Sequence, residues 1–115
     1  MLYSKKNSNK YHSQKIVVNG IQFDSKKEAA RYQELILLQR AGEITGLRRQ
    51  VRFVLIPRFA DERAVVYYAD FCYTESGVNI VEDVKSAATK KDKAYILKRK
   101  LLKYLFRDIV FREIE

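Results

Sequence analysis

Tyr67-Tyr68-Ala69-Asp70-Phe71-Cys72-Tyr73 and, a few residues on, Val81-Glu82-Asp83-Val84-Lys85 decide how this chain reads. Both stretches have strand character, and both carry carboxylates where a strand should be apolar. Asp is depleted in strands because its side chain competes for backbone hydrogen bonds and packs poorly. A carboxylate among aromatic neighbours must be paired, hydrogen-bonded or metal-bound, or its burial is costly. In a regular strand, Asn79, Val81, Asp83 and Lys85 share one face and Val78, Ile80, Glu82 and Val84 the other. Asp83 and Lys85 therefore point the same way.

Working outward, Thr74-Glu75-Ser76-Gly77 reads as a hairpin turn joining strands over 64–73 and 78–85. The first is almost continuously apolar or aromatic, which suits a central strand covered on both faces. Upstream, residues 50–56 form a third strand that stops at Pro57. Downstream, Thr89 is a plausible N-cap for a helix whose apolar residues Ala94, Leu97, Leu101 and Leu105 lie along one face, flanked by Tyr95 and Leu102. Residues 108–114 close the chain as a strand. Near the start, residues 15–23 read as a hairpin turning at Asn19-Gly20. Ser25 and Glu28 then open a helix with capping-box spacing, and Ala41-Gly42 ends it. Residues 1–14, rich in Ser, Asn, Lys and Gln, read as a flexible basic arm, leaving 15–115 as one domain.

The core order is α-β-β-β-α-β after an N-terminal β-hairpin. A helix between the last two strands is a crossover, so those strands should run parallel. The fold class is α/β, a mixed β-sheet flanked by helices.

Composition narrows the function. The 115 residues carry a net charge of +9, which points to an anionic partner such as nucleic acid. Charge concentrates in the second helix, where Lys90, Lys91, Lys93, Lys98, Lys100 and Lys103 are candidate phosphate contacts. One Cys excludes an internal disulfide and suits a reducing cytosol; one Cys and one His make a thiolate or imidazole zinc site improbable. No apolar run reaches membrane-span length, so no membrane partner is expected.

Metal-assisted phosphodiester hydrolysis needs phosphate charge neutralised, a water activated and a leaving oxygen stabilised. Mg2+ or Mn2+ prefers hard oxygen ligands and keeps several waters, so one or two carboxylates suffice. Asp70 and Asp83 would supply them, and Lys85 would orient the water or stabilise the transition state. Glu28 reads either as a capping residue or as a further site carboxylate. Glu82 could help through a β-bulge, and Gln50 could position a water. Glu82, Asp83 and Lys85 as a surface ion pair on an exposed edge strand is the bland alternative, but a solvated-face explanation works poorly for Asp70, which sits in the most apolar strand. Tyr67, Tyr68 and Tyr73 read as core or rim aromatics, and Cys72 as a small buried hydrophobe.

Glu28 on a first helix, Asp70 on a strand, Asp83-Val84-Lys85 on the next and a basic helix after it resemble the PD-(D/E)XK nuclease superfamily. Residues 23–29, 68–71 and 81–85 are similar to small phage- and prophage-encoded proteins, suspected endonucleases that include Holliday-junction resolvases. Ala69 stands where the superfamily's name has proline. The resemblance implies a restriction-endonuclease-like core, metal ligation by Asp70 and Asp83 with Glu28 added, a catalytic Lys85, and a polar contribution from the second helix, for which Lys98 is the candidate. The expectation is a phage-derived, Mg2+-dependent endonuclease on branched DNA, a symmetric homodimer in the bacterial cytoplasm. A non-catalytic nucleic-acid-binding module and an RNA-cleaving enzyme are the rivals.

Overall fold

In the computed structural model, residues 15–115 are described; the basic arm expected over residues 1–14 lies outside them. The chain begins with a hairpin of β1 (Ile16–Val18) and β2 (Ile21–Phe23), paired antiparallel. Its turn residues Asn19 and Gly20 have φ of 52° and 78°, the left-handed values that a type I′ turn demands and Asn-Gly tolerates.

Helix α1 (Lys26–Arg40) follows. Ser25 caps it by accepting a hydrogen bond from the Glu28 backbone nitrogen at 3.1 Å. The expected return bond from the Glu28 side chain is replaced: that carboxylate turns toward the sheet, where Gln50 and Arg49 meet it. The cap is thus half a capping box, and the helix start is satisfied without the Glu28 carboxylate.

Four strands form the main sheet in the order β3-β4-β5-β6, namely Thr45–Ile56, Val65–Glu75, Val78–Val84 and Ile109–Ile114. The first two pairings are antiparallel and the last is parallel, so the sheet is mixed. Strand β3 begins five residues before the expected start at Gln50, and Gln50 falls mid-strand. The earlier residues join because β4 is long enough to pair with them down to Thr45. The β4–β5 turn shrinks to Ser76-Gly77, again with left-handed φ at both positions.

The sheet is covered on both faces. Helix α1 packs one face through Ala29, Tyr32 and Leu35 against Phe23, Phe71, Tyr73 and Ile80. Helix α3 (Lys93–Leu105) packs the other through Tyr95 and Leu102 against Tyr67, Ala69, Cys72 and Val81. The α3 face expected from Ala94, Leu97, Leu101 and Leu105 is corrected by about one residue of helix rotation. Leu97 is 59% exposed and Leu105 45%, whereas Tyr95 and Leu102 are buried. Rotation places the large Tyr95 ring in the layer, and its hydroxyl finds Glu113 on β6.

The expected Thr89 cap is corrected too. A short helix α2 (Ala87–Lys90) intervenes, capped by Ser86 with Thr89 closing its capping box. Asp92 caps α3 by accepting from the Tyr95 backbone nitrogen at 3.3 Å. Among the described residues, no helix is long and apolar enough to cross a membrane.

Candidate active site

The site is built where two strands part. The β4–β5 ladder ends at the pair Phe71 and Glu82. The next residues, Asp70 and Asp83, fill the opening with carboxylates. Asp70 Oδ2 accepts a hydrogen bond from the Val84 backbone nitrogen at 2.8 Å, so a side chain takes over where the ladder stops. This satisfies an amide that the fork would otherwise leave unpaired.

A second irregularity opens the same place. Arg49 pairs with Phe71 and Val51 with Ala69, which sets Gln50 directly across from Asp70. Residues two apart on a strand normally share a face. Here Phe71 packs on α1 and Ala69 on α3. On β3, Arg49 lies over the Phe23 ring of the α1 layer, at 4.6 Å, while Val51 packs on the α3 layer. Both strands exchange faces at the Gln50–Asp70 step. Gln50 absorbs the switch with a φ of 49°, an uncommon value for a residue with a long side chain.

Gln50 also bridges two carboxylates. Its Nε2 donates to Glu28 Oε2 and to Asp70 Oδ1, each at 3.2 Å. The Glu28 carboxyl has its pKa raised, first by burial and then by the charge of Asp70; Arg49 and Gln50 oppose the rise.

Asp83 is 1% exposed and faces the α3 layer, as strand phase requires. Tyr67 donates to its Oδ2 at 2.5 Å, and Lys85 Nζ stands 3.4 Å from the same oxygen. Burial, then hydrogen bonding and charge from the Asp70 carboxylate, push the Asp83 pKa up to about 7. Tyr67 and Lys85 work in the opposite direction. Two acidic groups sharing one buried corner repel each other unless a proton or a cation intervenes.

Lys85 has a second support. Its ammonium lies 4.8 Å from the centre of the Tyr95 ring, a cation–π distance. Arg99 and the Tyr95 hydroxyl both meet Glu113 Oε2, the former at 3.2 Å. The helix residue beside the expected catalytic lysine is therefore Tyr95. Lys98, the candidate for that position, has no hydrogen bond or ion pair among the described residues and is half-buried on α3.

Glu82 stands apart. Strand phase turns it to the α1 face, where it is fully buried. Arg31 Nε reaches Glu82 Oε1 at 2.9 Å and Nη2 reaches Oε2 at 2.5 Å, a bidentate pair, and the Tyr73 hydroxyl donates to the same carboxylate. The bulge that would have turned Glu82 to the Asp83 side is absent from β5, which pairs in regular register with both neighbours.

The structure thus brings Asp70, Asp83, Lys85, Gln50 and Glu28 together and leaves out Glu82. The expected basic contacts spread along α2 and α3. Lys90 pairs with Glu115 at 3.7 Å, Lys91 and Lys93 are exposed, and Lys100 and Lys103 line a shallow groove with Arg99, Phe111 and Glu113. Sequence reasoning missed Tyr67, Tyr95 and Arg31. Strand phase misdirects for Tyr67: regular alternation would put it with Phe71 and Tyr73 on the α1 face, and only the face exchange at Asp70 turns it toward Asp83. No local signal could have found Arg31, whose partner lies 51 residues away.

As a donor set, Asp70 and Asp83 offer hard carboxylate oxygens at one point, which fits Mg2+ or Mn2+. Among the described residues no three acidic, Cys or His side chains close around one point, and the Gln50 amide stands between Glu28 and Asp70. Two carboxylates are enough for a cation that keeps waters and substrate oxygens.

A mixed α/β sheet with a carboxylate-lined fork between its central strands is the class that fold and site define. The family model described as a protein of unknown function, DUF1064, matches residues 8–114, and the chain belongs to that family. No curated protein and no solved structure matches it.

Proposed function

We propose that this protein is a Mg2+-dependent endonuclease acting on structured or branched DNA, with a restriction-endonuclease-like core. One observation carries the reading: two carboxylates, Asp70 and Asp83, meet at a strand fork, with Lys85 3.4 Å from the second. A fold has no need to bring two acidic groups into one poorly solvated corner. A divalent cation bound there would neutralise phosphate charge and lower the pKa of a bound water.

The chain's own residues have distinct roles in this reading. Asp70 and Asp83 would hold the cation, and Tyr67 fixes the Asp83 carboxylate. Lys85, steadied over Tyr95, stabilises charge developing on the scissile phosphate or orients the attacking water. Glu28, its cap role already filled by Ser25, is free to serve the site. Lys91, Lys93, Lys98, Lys100 and Lys103 would grip phosphates, positioning DNA without reading sequence. Cutting both strands of a junction needs two sites, so a symmetric homodimer is part of the proposal. The bacterial cytoplasm and a phage origin belong to the same reading.

The test is cleavage by the purified chain of a four-way DNA junction, a linear duplex and an RNA of matched sequence, in Mg2+ and in EDTA. The proposal expects Mg2+-dependent nicking of the junction. Binding without cleavage in either buffer would make the chain a nucleic-acid-binding module. Preferential RNA cleavage would make it a ribonuclease.

A further inference from the structure

Gln50 has features that the nuclease reading does not use. It sits at mid-strand with φ of 49°, at the step where β3 and β4 both exchange faces. Non-glycine residues seldom hold such a backbone, and where they do the strain is maintained by surrounding contacts and clusters at functional sites. The result here is positional. Gln50 stands across from Asp70, and one nitrogen, Nε2, touches both Glu28 Oε2 and Asp70 Oδ1 at the same 3.2 Å. The other Asp70 oxygen is already committed to the Val84 amide. The nitrogen must be the donor end of the amide, since both partners are carboxylates.

We propose that the Gln50 amide holds the place of a cation between Glu28 and Asp70 in the metal-free site and is displaced when a divalent cation binds. The inference rests on the metal reading above and adds a switch to it. An amide offers partial positive charge to two carboxylates and limits their repulsion. It is a weak substitute, because a divalent ion attracts the same oxygens far more strongly than the partial charge of an amide, even where Gln50 itself is exposed to solvent. Displacement frees Asp70 Oδ1 and Glu28 Oε2 together, so the third carboxylate joins the site only when the cation is present. Gln50 is in this account a positioning residue that competes with the metal.

The competing explanation is a cross-link that fixes α1 to the sheet and thereby pre-forms the metal site. The two differ in sign. Removing a competitor tightens cation binding; removing a pre-organising brace weakens it. The experiment is a Mn2+ titration of the full chain, with free Mn2+ read by electron paramagnetic resonance, for wild type, Gln50→Gly, Gln50→Ala and Asp70→Asn. Gln50→Gly accepts the left-handed φ without strain, so it keeps the fold if Gln50→Ala does not. The Mn2+ dissociation constant should fall by about three- to tenfold in both Gln50 variants and rise steeply in Asp70→Asn. Unchanged or weaker binding in Gln50→Gly overturns the displacement while leaving the metal reading intact. A wild-type chain that takes up no Mn2+ overturns the metal reading and the displacement with it.

Discussion

Glu82 and Asp83 are sequence neighbours, equally buried and on the same strand, yet they sit in opposite surroundings. Glu82, facing α1, receives a bidentate guanidinium from Arg31 and a hydroxyl from Tyr73. Asp83, facing α3, has one tyrosine hydroxyl and an off-axis lysine, and it shares its corner with another carboxylate. The first is a charge whose demands are met inside the protein. The second is a charge whose demands are only partly met, and an unmet demand is what a ligand can answer. A one-residue step along a strand, through the alternation of faces, separates a carboxylate satisfied inside the protein from one that is only partly satisfied.

The sharpest way to break this contrast is to neutralise the fork. Asp70→Asn should abolish Mg2+-dependent cleavage, measured as initial rates on junction DNA, with DNA affinity unchanged or higher because a negative charge near phosphate is gone. Surviving activity would remove Asp70 from the chemistry. Glu82→Gln should behave in the reverse way. It leaves the Arg31 guanidinium with Glu34, at 3.3 Å, as its one remaining carboxylate partner, and breaking such a buried pair costs about 3 kcal/mol, which a denaturant melt would read directly. A Glu82→Gln variant as stable as wild type would mean that the ion pair is dispensable.

If Lys85 stabilises the transition state as proposed, Lys85→Ala should lower kcat by about a hundredfold with little change in KM. A pure KM effect would reduce Lys85 to a phosphate contact. Glu28→Gln separates cap from site, because Ser25 supplies the cap alone. Activity should fall several-fold while melting temperature holds. A drop in melting temperature with activity intact would return Glu28 to the helix.

The smallest effect concerns pH. Burial and the neighbouring Asp70 carboxylate push the Asp83 pKa in the folded chain up to about 7, against an ordinary value of 3.8. Between these values the native state binds more protons than the unfolded state, so stability falls as pH rises through that window. In EDTA, wild-type melting temperature should therefore drop by several degrees from pH 5 to pH 8. Asp83→Asn, which carries no charge to bury, should lose that slope. A wild-type melting temperature that rises over the window would contradict the placement of Asp83 as a poorly satisfied acid.

Much of this arrangement was legible in the sequence, for reasons of periodicity. The alternation of β5 put Asp83 with Lys85 and turned Glu82 away, and the structure keeps that phase. Asn19-Gly20 turns with the left-handed φ values its chemistry favours, and the helical crossover before β6 returns that strand parallel to β5. The bound faces of α3 did not emerge, because a leucine stripe and a tyrosine-leucine stripe compete on one helix. Only packing against Tyr67 and Phe111, and the reach of Tyr95 to Glu113, selects the latter. The double face change at Gln50 and Asp70 was invisible: glutamine carries no signal for a left-handed backbone, and Arg31 meets Glu82 only through the fold.

The most direct measurement compares Asp83→Asn with Glu82→Gln for cleavage of a four-way junction in Mg2+, at a temperature where melts show both variants fully folded. Asp83→Asn should be inactive and Glu82→Gln should retain most of the wild-type rate. Equal activity in the two variants, or loss confined to Glu82→Gln, would contradict the assignment of the α3 face of β5 as the reactive one.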